Sequence, residues 1–176
     1  GEVYGKLESG SRPKGGIDKN LKVGVPSVGA ESVNGLGKYS YQSEKLITDF
    51  FFAKMNRGKV ENKDILIYKD GAYIGKTTMF QDSFPHKKFC VNEHVFLLRA
   101  KEFDFQNYLF FTLYQPLYFE KIQNLNTNSA QPGINQESLK SLKLIYPNQE
   151  TAKEFNEKVE PLLKLINALA LQNTKL

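Results

Sequence analysis

Asp64-Ile65-Leu66-Ile67-Tyr68-Lys69-Asp70-Gly71-Ala72-Tyr73-Ile74-Gly75-Lys76-Thr77-Thr78-Met79-Phe80 is the stretch whose reading decides the fold class. Its first five residues form a short apolar run rich in β-formers, Asp70-Gly71 marks a tight turn, and residues 72–80 predict a returning strand. Residues 89–99 read as a further strand, with Val91, Val95 and Leu97 on one face and Phe96 and Leu98 on the other. Apolar side chains on both faces predict a central position in a sheet. Beyond it the pattern turns helical. Asp104 is placed to cap a helix carrying Tyr108, Leu109, Phe111 and Thr112, which breaks at Gln115-Pro116 and resumes over 117–125. A polar loop fills 124–133, Asn135 caps a short helix, and the apolar run 142–146 ends at Pro147.

Towards the N-terminus the chain changes character. Ser9-Gly10-Ser11-Arg12-Pro13-Lys14-Gly15-Gly16 is turn chemistry, and Gly29, Gly35 and Gly37 punctuate the next stretch, so the first forty residues read as loops across a surface. Residues 23–28 allow one short strand, which Pro26 would confine to a sheet edge or a strand start. Thr48 caps a short helix that Arg57-Gly58 stops. Towards the C-terminus, Ala152, Phe155, Val159, Leu162, Ile166 and Leu169 alternate spacings of three and four, a heptad seam on a helix over 148–171. Pro161 is expected to kink it. The fold class is therefore α+β: a single globular domain over 1–147 with a twisted mixed/antiparallel β-sheet and short helices, followed by a long C-terminal helix over 148–176. That helix either packs on its own domain or meets an outside partner as a dimerisation or spacer element, and in the second case Phe155, Val159, Leu162, Ile166 and Leu169 are its expected interface.

The 176 residues, 40% hydrophobic, suffice for one core. No apolar run reaches the roughly 18 residues of a membrane span, and one cysteine excludes an internal disulfide, which suits a cytoplasmic location. Gly1-Glu2-Val3-Tyr4 lacks the basic start and apolar stretch of a signal peptide, and the missing initiator Met predicts a fragment or a processed chain. Residues 1–90 hold 15 Lys/Arg against 10 Asp/Glu, whereas 91–176 hold 9 of each, so the net charge of +5 lies in the first half. A positive surface there attracts polyanions by counterion release, nucleic acid foremost.

Catalytic constellations are missing from the sequence. Gly71-Ala72-Tyr73-Ile74-Gly75-Lys76-Thr77 has three residues between its glycines where a phosphate-binding loop has four, and Tyr73 and Ile74 would obstruct the phosphate. His86, Cys90 and His94 recur every four residues. In a strand that spacing separates them by roughly 13 Å, too far to share a metal. Glu61-Asn62-Lys63-Asp64 has the residue types of a nuclease without a second carboxylate cluster, and two histidines leave few general bases. The chain is read as no enzyme, with no metal and no cofactor of its own.

Nucleic-acid contacts are the chemistry the loops can supply. Arg12, Lys14, Lys19 and Lys22 lie in glycine-rich segments able to follow phosphates, Lys69, Tyr73 and Lys76 flank the hairpin turn, and Lys87 and Lys88 lie in another loop. Asn34, Gln131 and Asn135 carry amides suited to paired hydrogen bonds with adenine edges. These segments also carry a resemblance. The 9–16 stretch, Gly24-Val25-Pro26-Ser27-Val28-Gly29-Ala30, the hairpin with Asp70-Gly71-Ala72-Tyr73-Ile74-Gly75-Lys76, Val91-Asn92-Glu93-His94-Val95 and Gln131-Pro132-Gly133-Ile134-Asn135 occur in that order. Together they resemble a target recognition domain of the specificity subunits of type I restriction-modification systems. One departure is Tyr146-Pro147-Asn148-Gln149-Glu150, where the family often has a lead richer in proline and leucine.

The resemblance implies sequence-specific recognition of double-stranded DNA without catalysis. One half of a split target is read, modification subunits bring S-adenosylmethionine and methylate adenine, and a restriction subunit joins through them. It also implies a second recognition domain or a homodimer, paired through the terminal helix. Arg12, Lys14, Lys38, Lys87 and Lys88 are expected on phosphates, and Asn34, Tyr73, Lys76 and Gln131 near bases. Two rivals are the recognition domain of a single-chain restriction-methylation enzyme and a protein-interaction module working through its helix.

Overall fold

The computed structural model describes residues 3–126 and 132–173. In chain order the elements are β1 (Tyr4–Ser9), β2 (Val25–Val28), β3 (Leu46–Ile47), α1 (Asp49–Lys54), β4 (Ile65–Tyr68), β5 (Thr77–Met79), β6 (Cys90–Val91), β7 (Val95–Ala100), α2 (Gln106–Tyr114), α3 (Pro116–Gln123), α4 (Gln136–Lys140) and α5 (Gln149–Asn173). Short 3-10 turns add Ala30–Ser32, Tyr41–Ser43 and Phe103–Phe105. The fold is α+β as expected, its strands divided between two sheets. One is antiparallel in the order β1-β7-β4-β5, and the other has the order β3-β2-β6, with β2 antiparallel to β3 and parallel to β6.

The apolar runs at β4 and β7 are the middle strands of the larger sheet, in a register that pairs Ile65 with Leu98 and Ile67 with Phe96. Alternation decides which core each side chain enters. Ile65, Ile67, Phe96 and Leu98 meet Leu109, Phe110, Leu113 and Ile122 from α2 and α3 on one face. Leu66, Val95 and Leu97 meet Val28, Val33, Phe80, Phe84 and Phe89 on the other. The facing predicted from the 89–99 pattern holds. α2 packs between the sheet and α5, which explains why its apolar residues are not confined to one stripe.

Several expected boundaries move. The returning strand shrinks to β5, because Gly71 and Gly75 take φ of +82° and +91° and turn residues 69–76 into the hairpin's end. The 89–99 strand divides at Asn92, whose Oδ1 accepts the His94 N–H at 2.9 Å, so the chain leaves the small sheet at β6 and enters the large one at β7. β1 forms where only loops were expected and pairs along β7, Leu7 opposite Leu98. Pro26 lies in the middle strand of its sheet rather than at an edge. It is tolerated there because pairing with β6 begins only at Ser27. Asp104 does not cap α2: the chain enters through the 3-10 turn, and Phe105 occupies the cap position. Thr48 and Asn135 do cap, accepting the N–H groups of Phe51 at 3.1 Å and Ser138 at 2.8 Å.

α5 runs unbroken through Pro161 and packs on its own domain. Its own Ala152, Leu163, Asn167 and Ala170 form the buried face. This corrects the expected seam. Phe155 lies edge-on to Tyr108 and Phe111, and Val159 joins the core cluster, so both face inward. Ile166 is half-buried beside Gly37. Leu162 and Leu169 remain 60% and 49% exposed, joined by Leu165 at 55%. The helix is held by an ion pair between Lys63, which is itself buried, and Glu160, whose carboxylate also accepts from Asn107 Nδ2 at 3.1 Å.

Candidate nucleic-acid interface

Three segments that leave the strands at different points of the chain approach one another beside the small sheet. The segment after β1 is rooted by Gly10, whose N–H donates to Asn92 O at 3.1 Å. A Cβ on Gly10 would sit 1.6 Å from the carbonyl oxygen of Val91, so only glycine allows this approach. Two residues on, Arg12 Nε pairs with Glu93 Oε1 at 2.8 Å, with the rest of its side chain in solvent. The segment between β2 and β3 meets the segment between β5 and β6 through Glu44. Its Oε1 accepts from the Tyr39 hydroxyl at 2.8 Å and lies within hydrogen-bond distance of His86 Nε2. The Tyr41 hydroxyl donates to the carbonyl of Pro85 at 3.2 Å. The rings of Tyr39, Tyr41 and His86 pack edge-on with centroids 4.9 to 5.7 Å apart. Burial and the Glu44 carboxylate both push the Tyr39 hydroxyl far above its ordinary pKa, so it stays a donor.

Beside this cluster lies a cleft of about 380 Å³ with Arg12, Asp18, Lys19, Glu44, Lys45 and His94 on its walls. Arg12, Lys14, Lys38, Lys87 and Lys88 are all exposed on the converging segments. Lys88 pairs with Asp49 at the start of α1, which brings that helix to the edge of the surface. The backbone of the 81–86 turn is constrained, with Asp82 and Ser83 at φ of 54° and 67°.

The expected base contacts lie elsewhere. Asn34 and Lys76 line an apolar groove of about 980 Å³ with Tyr114, Phe119, Val159 and Leu162, and Tyr73 is exposed with Lys76 Nζ 4.3 Å from its ring centroid. Asn34 Nδ2 donates to its own segment at Glu31 O, 2.6 Å away. Gln131 lies outside the described residues, and its neighbour Pro132 accepts the Gly71 N–H at 2.9 Å. Asn135 spends its side-chain oxygen on the α4 cap. The His86, Cys90 and His94 trio points three ways, to Glu44, to Pro26 O and to Asp70. Burial pushes the Cys90 thiol up to about 11. Among the described residues no group of three His, Cys, Asp or Glu side chains is arranged to hold a metal, and no helix is long and apolar enough to cross a membrane.

Sequence reasoning assigned no part in the site to Glu44, to Tyr39 or to α1, although it placed a short helix after Thr48. The first two carry no local signal, since a carboxylate that joins two segments 42 residues apart is visible only in space. α1 did carry one: Phe50-Phe51-Phe52 occupies three consecutive helical positions, which spread over roughly 200° and cannot all be buried.

The site and fold define a compact α+β recognition domain: loops bearing cations on a two-sheet scaffold, with a docked terminal helix. Residues 1–175 match the model of the type I restriction modification DNA specificity domain, and the chain belongs to that family. Among solved structures, the chain is similar to the HsdS subunit from Thermoanaerobacter tengcongensis, with a TM-score of 0.59 at 14% identity over 96% of this chain and 38% of that one. It is also similar to the type I restriction-modification S subunit from M. genitalium, with a TM-score of 0.52 at 16% identity over 93% and 39%. A third is a chain from work on complex assembly and conformational transition of the type I R-M system, with a TM-score of 0.54 at 14% identity over 95% and 38%. The chain thus spans about two fifths of the length of these solved chains. Among curated proteins none matches its sequence.

Proposed function

We propose that this domain reads one half of a bipartite DNA target as part of a type I specificity subunit, contributing recognition and no catalysis. The observation that carries the reading is that the segments between β2 and β3 and between β5 and β6 join at Glu44, beside a cleft that Arg12 and Lys19 also line, in a chain whose excess positive charge lies in its first half. Arg12, Lys14, Lys38, Lys87 and Lys88 neutralise phosphates and set the register of the duplex, which leaves the cleft walls to meet base edges. Asn34, Tyr73 and Lys76 belong to a second contact region at the hairpin end, and Gln131 remains a proposed base contact. The cofactor, S-adenosylmethionine, is held by modification subunits that methylate adenine, the restriction subunit joins through them, and the complex works in the cytoplasm.

The exposed leucines of α5 supply the second half of the proposal. Phe155 and Val159 anchor the helix to its own domain, whereas Leu162, Leu165 and Leu169 remain as an apolar edge for a second helix, from another copy or from a second recognition domain.

The DNA reading is tested by titrating a mixed-sequence duplex across salt. Lys87→Ala/Lys88→Ala is expected to weaken binding uniformly and to lower the slope of log affinity against log salt by about 2, near 0.9 for each phosphate that is no longer neutralised. Unchanged affinity and slope would remove that segment from the interface.

A further inference from the structure

Phe50, the first of the three phenylalanines of α1, is 69% exposed, although the helix has an apolar core to face. Phe51 and Phe52 pack partly against Val25, Ile47, Met55 and Cys90, so the inward side is already filled and Phe50 is surplus to it. Cations surround the aromatic helix. Lys54 Nζ lies 4.1 Å from the Phe50 ring centroid, and Lys59 and Lys88 lie 5.1 and 5.3 Å from that of Phe52. Lys54 and Arg57 also line a small cavity with Ser11, so α1 lies between the segment carrying Arg12 and the segment carrying Lys88. The acids on the adjoining segments are engaged: Asp49 with Lys88, and Glu8 with the Gly58 N–H and Lys6.

We propose that α1 is a DNA-contacting element in which Phe50 buries its ring against the sugar and base edges of a groove while Lys54, Lys59 and Lys88 neutralise the phosphates on either side. This rests on the DNA-reading assignment and extends it to a helix and an aromatic residue outside the converging loops. The occupant follows from charge. An apolar ring flanked by lysines suits a polyanion with an apolar groove floor, because the lysines release counterions while the ring leaves water. The helix is also continuous with the proposed interface through Lys88.

The test uses the full chain and a mixed-sequence 30-base-pair duplex, with affinity measured across salt for the wild type, Phe50→Ala and Lys54→Ala/Lys59→Ala. Phe50→Ala is expected to weaken binding by about tenfold with an unchanged salt slope, since it removes apolar burial and no charge. Its melting temperature should match that of the wild type, because the ring supports no core. Lys54→Ala/Lys59→Ala is expected to lower the slope by about 2. If the wild type binds and Lys87→Ala/Lys88→Ala binds more weakly, yet Phe50→Ala binds as the wild type does, this inference is overturned and the loop assignment stands. If the wild type binds no duplex, both fall.

Discussion

At the scale of single residues, the most demanding group in the fold is Asp64. Its side chain is fully buried at the start of β4, accepts Arg99 Nε at 2.8 Å and Nη2 at 2.9 Å, and takes a third bond from the Glu61 N–H at 2.7 Å. Burial pushes its carboxyl above the ordinary value even though Arg99 pulls the other way, while the same pairing raises Arg99. Removing the guanidinium leaves a buried charge with no counterion, so Arg99→Met is expected to cost about 3 kcal/mol in urea unfolding at neutral pH. For an acid whose pKa is raised in the folded state, stability falls as pH rises through the titration. The deficit of Arg99→Met should accordingly shrink on acidification. A deficit independent of pH would show that the Asp64 carboxylate is not its source. The sequence contained both residues but no sign of their partnership. Asp64 read as the start of a strand and as one carboxylate of the Glu61–Asp64 run, and the pairing of β4 with β7 closes its separation of 35 positions from Arg99.

At the scale of elements, α5 shows where pattern reading succeeds and where it stops. The three-four spacing correctly located a long amphipathic helix, because side-chain direction on a helix follows from position alone. Which part of the stripe meets its own domain depended on α2. That helix offers Tyr108 and Phe111 to Phe155, and the Lys63–Glu160 pair fixes the rotation. Burial tends to raise the Glu160 carboxyl, but hydrogen bonds from Lys63 and Asn107 and the charges of Lys63 and Lys164 outweigh it, leaving the pKa lowered from 4.5. A depressed carboxyl contributes stability above its unfolded value and loses it as pH falls through the folded one. Hydrogen exchange of α5 amides should therefore rise as pH is taken below about 4.5, beyond the intrinsic change in exchange rate. Glu160→Gln should flatten that dependence. An equal pH dependence in wild type and variant would dismiss the pair as the clamp. The hairpin behaves in the same way: Asp70-Gly71 announced a turn, yet Gly75 at φ +91° made the turn longer than the pair implied.

At the scale of the molecule, the scaffold, the loop face and the helix edge have separate tasks. The two cores on either side of the β4–β7 pair hold the scaffold together, and the converging segments display charge. The helix edge presents Leu162, Leu165 and Leu169 to solvent. Replacing these three leucines by glutamine should leave unfolding unchanged, since all are exposed, while abolishing any concentration-dependent increase in mass on sizing and scattering. If a dimer persists in that variant, pairing runs through another surface. The sequence by itself determined the α+β class, the central strands with their two-faced burial, the terminal helix and the concentration of positive charge in the first half. Each of these follows from local periodicity and composition, which the chain carries residue by residue. Only the tertiary structure decided that Glu44 joins two loops, that α1 adds an aromatic residue and lysines to the basic surface, and that the expected contacts fall into two regions. Those outcomes depend on which distant segments the sheets bring within hydrogen-bonding distance, and no local pattern encodes that distance.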